Sequence, residues 1–336
     1  MNILNCLHKT MEKELILNIL SYAIRAPSTH NSQPWLFKLQ TNGVSIYYNK
    51  KLFLPEADHD GRGLYISIGC MLENMIIAAT HFGISTNYVF IENSEDNHII
   101  DISFEKSNIS LEENEKLFVK ISDRVNSRGQ FKDEELFEEV STIVELNNKE
   151  FLDKNISLTI LKKKEDINKI AELTRDAILE AYDKPSFRKE VSHWMNSNLS
   201  RKKEGLPGYS LKLPLILSII IPILIRYFNM GKILGNLNYK SIKSAPLIFI
   251  FSSLNNLKED WINIGMYAEK LMLSLQTAGF QTSIFVGSIE IGDLYKDVQR
   301  LINLNSGRPE FIFAVGHMEG IHKITPRHKL EEKIIN

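Results

Sequence analysis

Two helical segments with similar sequences lie far apart in the chain, at residues 65–83 and 261–279. Each follows an apolar strand and a polar connector and precedes another strand, which indicates two copies of one α+β unit. A glycine inside a helix costs up to about 1 kcal/mol relative to alanine, and a close crossing of two buried helices would explain why both segments contain one. We therefore predict that the segments cross at a pseudo-twofold interface. They share five identities at equal spacing: Ile66/Ile262, Ile68/Ile264, Gly69/Gly265, Glu73/Glu269 and Gly83/Gly279.

Patterns of apolar residues predict helices and strands along the whole chain. Asn42-Gly43 between two alternating runs predicts a hairpin of strands 35–39 and 44–48. Residues 183–210 are polar, and we expect them to be irregular. The further predicted helices are 15–24, 64–82, 133–147, 165–182 and 260–276, and the further strands are 88–92, 99–104, 156–161, 246–251, 280–286 and 311–315.

Composition excludes several classes of protein. The chain has 336 residues, 43% hydrophobic content and a net charge near −1, with acidic and basic residues interspersed, so nothing indicates nucleic-acid binding. Cys6 and Cys70 form neither a disulfide framework nor a metal-ligand spacing, and we expect no metal. The first residues lack a long apolar stretch typical of a signal peptide, so we expect a cytoplasmic protein.

One apolar run, residues 213–225, is thirteen residues long and is interrupted by Pro222. A membrane-spanning helix needs roughly twenty residues. We favour a buried helix, or a lid over a pocket, and expect no membrane association. The alternative is attachment to a membrane surface, in which the surrounding basic residues would meet anionic headgroups. Those residues are Arg201, Lys202, Lys203, Lys212 and Arg226.

A polar segment between two prolines separates the first predicted helix from the hairpin. It reads Ala-Pro-Ser-Thr-His-Asn-Ser-Gln-Pro-Trp over residues 26–35. Pro27 disfavours helical backbone at the residue before it and should end the helix. The segment is too polar to build a core, but it can present hydroxyl, imidazole and amide groups to a planar polar ligand. A solvated loop is the simpler alternative, because serine, asparagine and proline are common in loops.

The order of these residues resembles the flavin-contacting loop of the nitroreductase family. In that family the serine and asparagine touch the isoalloxazine ring of FMN, which implies this role for Ser28 and Asn31. His30 and Gln33 lie in the same loop, and we include them among the cofactor-binding candidates. The resemblance implies an α+β fold of antiparallel-rich sheets packed with helices.

A second motif, Arg124-Val-Asn126-Ser-Arg128, precedes the predicted helix 133–147. Two guanidinium groups can make bidentate, charge-assisted hydrogen bonds to phosphate oxygens, and a helix N-terminus adds its unpaired N–H groups. The motif therefore predicts a phosphate site, with two solvated arginines as the alternative. It resembles the N-terminal phosphate motif of nitroreductases, except that Asn126 stands where the family has serine. We expect the Asn126 amide to reach the ribityl chain or the phosphate.

The two halves carry different motifs, and this asymmetry predicts their arrangement. Residues 1–115 contain the flavin-contacting loop, which we name the ring loop, and residues 116–336 contain the arginine motif. The first half has no arginine motif at the corresponding position, residues 6–10, and the second half has no such loop at residues 146–155. Nitroreductases are usually homodimers whose FMN lies at the interface. The chain resembles such a dimer fused head to tail, with one FMN site and a lid-like insertion at about residues 183–230. We expect a monomer with this internal pseudo-dimer, or a further homodimer.

Three more positions are implied by the resemblance. Gly287, after a predicted strand, is similar to the family position where backbone N–H groups face the flavin. The tail Thr325-Pro-Arg327-His-Lys329-Leu-Glu-Glu resembles the C-terminal Arg-x-Pro-Leu-Glu-Glu, whose arginine binds the phosphate; a solvated basic tail is the alternative. Residues 49–55 and 60–63 resemble the double-domain Acg-like branch of the family. Lys329 in the tail joins the cofactor-binding candidates, and Arg62 is a weaker candidate.

The resemblance implies an FMN-dependent oxidoreductase that passes hydride from NAD(P)H to a small-molecule acceptor such as a nitroaromatic or a quinone. Flavin carries this chemistry, so we assign no catalytic side chain. No Ser/His/Asp set competes, and we interpret His193 and His317 as structural. The alternative is an FMN storage or sequestering protein, in which the insertion covers the flavin and turnover is small.

Overall fold

The computed structural model describes residues 3–91, 96–106, 112–151, 154–320 and 323–336. It has an α+β fold with two main sheets and helices packed between and around them. The helices are α1 (Ile3–Ala23), α2 (Arg62–His81), α3 (Glu112–Ile121), α4 (Phe137–Asn148), α5 (Lys164–Asp183), α6 (Pro185–Trp194), α7 (Leu215–Tyr227), α8 (Gly231–Lys243), α9 (Lys258–Thr277), α10 (Gly287–Glu290) and α11 (Tyr295–Leu301). The strands are β1 (Trp35–Gln40), β2 (Gly43–Tyr48), β3 (Ile84–Phe90), β4 (His98–Lys106), β5 (Ile156–Leu161), β6 (Met195–Asn196), β7 (Leu206–Pro207), β8 (Leu247–Ser253), β9 (Gln281–Ile284), β10 (Arg308–Gly316) and β11 (Ile334–Ile335).

The two main sheets come from different parts of the chain. The first has the order β11-β1-β2-β4-β3, and the second has the order β5-β8-β10-β9. All strand pairs in the second sheet are antiparallel. In the first sheet, β1 and β2 form the predicted hairpin, with Gln40 opposite Gly43. The short β11, from the end of the chain, pairs in parallel with β1 in the first sheet. This return of the chain brings residues 323–333 next to the loop that follows α1.

The two glycine helices, α2 and α9, cross in the core as predicted. A Cβ atom added at Gly69 would lie 2.1 Å from the carbonyl oxygen of Ile262, and one at Gly265 would lie 2.1 Å from that of Ile66. Only a residue without a Cβ permits so close an approach of two backbones. The contacts are reciprocal between matching positions, and both helices are buried along most of their length.

Two expectations about the insertion are wrong. Residues 183–210 are not wholly irregular, because they include α6, which runs from Pro185 to Trp194. Proline is favourable at the first position of a helix, where the backbone N–H that it lacks would have no partner within the helix. The apolar run does form a helix, α7, but it is not buried: only Ser218 and Ile225 of this helix are inaccessible to solvent. Apolar sequence suggested burial, but α7 packs on one side only. There Ile221 and Ile225 share an apolar cluster with residues of α5, α6 and α8, so the outer faces of α7 stay uncovered.

Helix α2 is long and apolar enough to cross a membrane, but 78% of its apolar window is buried, so it is a core helix of the fold. Helices α7 and α8 meet that criterion only when taken together, and they are bent by 119° at their junction.

Candidate functional site

A small pocket of about 80 Å³ lies where four separate segments meet. The loop after α1 and the segment between α3 and α4 contribute the polar lining, the insertion closes one side, and the tail closes another. Within the described chain, the lining residues are Pro27, Ser28, Asn31, Arg124, Val125, Asn126, Arg128, Leu206, Ser210, Leu211, Ile284, Lys323, Thr325 and Arg327. A wider open groove of about 510 Å³ lies on the first sheet around Tyr47 and His98, but none of the sequence motifs lines it.

The loop after α1 has an unusual backbone. His30, Asn31 and Gln33 have φ angles of 50°, 56° and 51°, in the left-handed region. Asparagine adopts this conformation readily, whereas histidine and glutamine do so at a cost of about 1–3 kcal/mol each. The hydroxyl of Ser28 stabilises the loop by accepting a hydrogen bond from the Gln33 N–H at 2.9 Å. Such strain persists only where the surroundings hold it in place, and it is common at binding sites.

Side-chain amides of this loop hold the insertion and the tail. Asn31 Nδ2 donates to the carbonyl oxygens of Lys203 at 3.1 Å, Gly205 at 3.3 Å and Pro326 at 3.1 Å. Gln33 Nε2 donates to the Lys203 carbonyl at 2.8 Å, and its Oε1 accepts from the His328 N–H at 2.9 Å. Residues 203–211, which we name the cover segment, are thereby fixed across the loop.

Three guanidinium groups converge on the pocket. Arg124 Nε lies 3.0 Å from the buried Glu269 carboxylate, and Arg128 Nη1 donates to the Ile284 carbonyl at 3.1 Å. Arg327 Nη1 donates to Asn31 Oδ1 at 2.7 Å. Within the described residues, Arg124 Nη1 and Arg327 Nε are buried without a hydrogen-bond partner. A buried, unpaired donor on a cation is costly, so these atoms indicate an anionic ligand.

Burial dominates the electrostatics of the pocket. It lowers the pKa of Arg128 to about 10, and burial followed by the nearby Arg124 charge lowers that of Arg327 to about 9. Burial, then the Arg128 charge, lowers the pKa of His30 to about 4, so the imidazole is neutral at physiological pH. Burial also raises the pKa of Glu269, against the effect of Arg124. Arg124 and Arg327 both act on the Glu269 carboxylate, and Arg128 adds a third positive charge at the pocket, so positive charge is in excess there and an anion would offset it.

The structure brings six of the ten predicted site residues together: Ser28, Asn31, Arg124, Asn126, Arg128 and Arg327 line one pocket. His30 and Gln33 belong to the same loop without lining it. The Asn126 Oδ1 accepts from the Ile284 N–H at 3.0 Å, which ties the arginine motif to β9. Gly287 and Lys329 do not line the pocket. Gly287 is the first residue of α10 and packs next to side chains of α5. Lys329 is exposed and directly precedes the helical turn Leu330–Lys333. The weaker candidate Arg62 is also outside the pocket lining, in a buried ion-pair network.

Sequence reasoning missed other residues of the site. Glu269 was visible in the sequence as an identity between the two repeats, but only the structure shows that it is buried in α9 and paired with Arg124. Lys333 is also buried, and its Nζ donates to the Gln33 carbonyl at 2.6 Å, which fixes the tail against the loop. Lys323 carries no motif, and only its position in the fold reveals it. The cover segment lies within the insertion that was expected to form a lid, but its lining residues Leu206, Ser210 and Leu211 were not singled out.

Comparisons with known proteins give short, specific matches and one match over nearly the whole chain. The putative NAD(P)H nitroreductase Rv3131 of Mycobacterium tuberculosis is 32% identical over 72 residues, and acg of that organism is 32% identical over 92 residues. These alignments cover 21% and 27% of this chain, and 21% and 28% of those proteins. The uncharacterised protein Rv3127 of Mycobacterium tuberculosis is 22% identical over 330 residues, which cover 94% of this chain and 92% of that protein.

No protein-family model matches the chain. One similar solved structure is the FMN-dependent nitroreductase NfnB from Mycobacterium smegmatis in complex with NADPH. It is 16% identical, covers 65% of this chain and 95% of its own, and has a TM-score of 0.42, too low to support an argument about this site. By the sequence matches, the chain is a relative of the nitroreductase family and of its Acg-like members.

Proposed function

We propose that the protein is an FMN-binding flavoprotein of the nitroreductase type, with its phosphate site in the pocket described above. The convergence of Arg124, Arg128 and Arg327 on one pocket beside the strained loop carries this proposal. Buried guanidinium groups with unpaired N–H atoms suit a phosphate monoester, which offers several strong acceptor oxygens.

The residues present fit the phosphate end of FMN more closely than its ring. The three arginines would hold the phosphate, with Asn126 beside it, and Ser28 and Asn31 would face the ring. A pocket of about 80 Å³ can take a phosphate-sized group, whereas sites for whole cofactors usually measure about 300–1,000 Å³. The cover segment lies across the loop, so it must move aside for the ring to enter, which requires breaking the hydrogen bonds from Asn31 and Gln33 to the Lys203 carbonyl.

We also propose that the chain is a tandem pseudo-dimer, with halves at 1–115 and 116–336. The reciprocal crossing of α2 and α9, the separate sheets and the split of the motifs between the halves support it. The pocket combines Ser28 and Asn31 from the first half with the three arginines from the second. One site per chain follows from this arrangement, and pairing with a second copy stays a prediction.

For the activity, we propose that the protein passes reducing equivalents from NAD(P)H to a small electrophile such as a nitroaromatic or a quinone, in the cytoplasm. The similarity of parts of the chain to two putative NAD(P)H nitroreductases supports this class. Bound FMN supplies the hydride chemistry. This chain's residues would bind the phosphate, orient the ring and exclude water, and none need supply an acid or base.

Storage or sequestration of FMN is a second candidate, and the cover segment favours it. Four hydrogen bonds, from Asn31, Gln33 and the His328 ring, hold residues 203–205 over the ring loop. A cover segment that opens to admit the ring and then closes over it through contacts of this kind would hinder approach of nicotinamide. Oxidation of NADPH with menadione as acceptor separates the two candidates. Turnover no faster than that of free FMN would exclude the reductase while leaving the flavin site intact.

The first experiment is an absorbance spectrum of the purified protein, with reconstitution by added FMN and release of the flavin for counting. We expect the bands of an oxidised flavin at about one FMN per chain, because the ring loop and the phosphate arginines each occur once. Two flavins per chain would contradict the asymmetric site. A protein that stays colourless after reconstitution would overturn the proposed function.

Removing a pocket arginine should weaken FMN binding. We expect Arg128→Gln and Arg327→Gln each to cost about 1–3 kcal/mol of binding free energy, the size of a charge-assisted hydrogen bond, measured by flavin fluorescence titration. Arg128 is the cleaner test, since among the described residues its guanidinium donates to the Ile284 carbonyl, whereas Arg327 also holds the Asn31 side chain of the ring loop. The control is Arg300→Gln, on the exposed side of α11. Unchanged affinity in both pocket variants would remove the phosphate assignment.

A further inference from the structure

The outer faces of α7 and α8 form the densest exposed apolar surface of the described chain. Ile216, Ile220, Ile223 and Tyr227 are spaced three or four residues apart and share one face of α7, with Ile219 at the side of the same face. Isolated exposed apolar residues need no explanation, but a continuous patch marks a binding surface. We name this surface the apolar patch. Of the 18 large apolar side chains exposed in the described residues, ten belong to it: Leu215, Ile216, Leu217, Ile219, Ile220, Ile223, Tyr227, Phe228, Ile233 and Leu237.

The charge along residues 205–258, which carry the apolar patch, is of one sign. These residues contain no aspartate or glutamate, although 41 of the 336 residues of the chain are acidic. Their charged side chains next to the patch are basic and exposed: Lys212, Arg226, Lys232, Lys240 and Lys243. From outside this segment, the Asp183 carboxylate reaches the junction of α7 and α8, where it accepts a hydrogen bond from Asn229 Nδ2 at 2.7 Å. A protein of net charge −1 therefore concentrates positive charge at its most apolar surface. An apolar face with basic residues around it is typical of helices that lie in the interface of an anionic bilayer.

The geometry of the two helices fits the surface of a membrane and not its interior. Helix α7 has 13 residues, a length of about 20 Å, whereas the hydrocarbon core is about 30 Å thick. The bend of 119° between α7 and α8 prevents them from acting as one span. Glycines on the other side of α8, Gly231 and Gly235, pack against α5, so one side of the pair is fixed to the protein and the other is free.

We propose that α7 and α8 dock the protein on the surface of anionic lipid bilayers, with the apolar patch buried among the headgroups and the surrounding lysines and arginine next to lipid phosphates. This docking replaces the expectation of no membrane association, which assumed that the apolar run was buried. It does not rest on the proposed FMN site, because none of the residues of the apolar patch and none of the five basic residues lines that pocket, although Leu211 does. Since Leu211 lies four residues before α7, docking would hold the pocket close to the membrane surface.

Sedimentation of the full-length protein with lipid vesicles tests the docking. We expect binding to vesicles of phosphatidylcholine mixed with phosphatidylglycerol, little binding to phosphatidylcholine alone, and loss of binding as ionic strength rises from about 0.01 M to about 1 M. The double variant Ile216→Ser, Ile223→Ser removes two apolar side chains from one face of α7 and should lower the partition coefficient between vesicles and water about tenfold or more. Lys232→Glu with Lys240→Glu should do the same by charge reversal.

The control is Leu146→Ser, which changes a leucine of α4 that is 62% exposed, comparable to 71% for Ile216. It should bind vesicles like the unchanged protein, and all variants should keep the same far-ultraviolet circular dichroism. Equal binding to neutral and anionic vesicles at low salt, or no binding to either, would overturn the proposal. So would a dimer in solution that dissociates in the Ile216→Ser, Ile223→Ser variant, because a second copy would then cover the patch.

Discussion

Replacing Gly265 with alanine is expected to destabilise the protein by about 1–3 kcal/mol or more, the range for overpacking a core. Alanine would stabilise an isolated helix by about 1 kcal/mol relative to glycine, so helix propensity alone predicts the opposite sign. The added Cβ would lie 2.1 Å from the Ile66 carbonyl oxygen and 2.9 Å from the Gly69 Cα. Both are backbone atoms, which cannot rotate away, so α2 and α9 must separate. Urea unfolding followed by circular dichroism measures the change.

Gly287→Ala is the matched control for this experiment. A Cβ at Gly287 would meet only side-chain atoms at 3.7–3.9 Å, which is ordinary contact, so we expect a change within about 0.5 kcal/mol. The reciprocal variant, Gly69→Ala, should behave like Gly265→Ala, because its Cβ meets the Ile262 carbonyl oxygen at the same distance. A neutral or stabilising effect of both crossing variants would show that the helices are not held this close in solution.

The parts of the fold that could be predicted from sequence are those set by local pattern. Asn42-Gly43 predicted the hairpin, and the paired glycines predicted the helix crossing, because each signal has a direct steric cause. The end of the chain was different. The pairing of β11 with β1 joins residues about three hundred positions apart, and no periodicity in a two-residue strand reveals its partner.

The exposure of α7 could not be predicted, since an apolar sequence gives the tendency to leave water but does not show which surface, if any, covers the helix. For the site, the motifs identified the polar loop and the arginines, and six of those side chains do share a pocket. The sequence could not show that Asn31 and Gln33 hydrogen-bond to residues 203–205 and to the tail, because backbone carbonyls are present at every position. The assignment of these residues to a cofactor stays a prediction.

For Arg62 too, the sequence identified the residue but could not show which side chains it contacts in the fold. Its side chain is fully buried, with Nη1 2.9 Å from Glu310 Oε2 and Nη2 2.7 Å from Glu290 Oε2. Asp58, Asp60 and Glu290 could together ligand a metal ion by spacing alone, but the guanidinium already lies next to Glu290 and 3.9 Å from Asp60. The ion pairs join α2 to α10 and to β10 of the second sheet through buried charge.

Removing this arginine should therefore have a large and pH-dependent effect. We expect Arg62→Met to lower the free energy of unfolding by about 3–5 kcal/mol near neutral pH, because two buried carboxylates lose their cation. Burial raises the pKa of Glu290 to about 7, and Arg62 opposes that rise. A carboxyl group with a raised folded pKa keeps its proton where the unfolded chain releases it, so its contribution to stability is lost as pH rises through about 7.

In Arg62→Met the opposing charge is gone, and the folded pKa should rise further. The variant should therefore lose more stability between about pH 5 and pH 8 than the unchanged protein does, which urea unfolding at both pH values measures. Arg300→Met, which removes an exposed pair with Asp297, should change stability by less than about 1 kcal/mol at either pH. An Arg62→Met loss as small as that of the control, or one that does not grow with pH, would mean that Glu290 and Glu310 do not depend on this guanidinium for their burial.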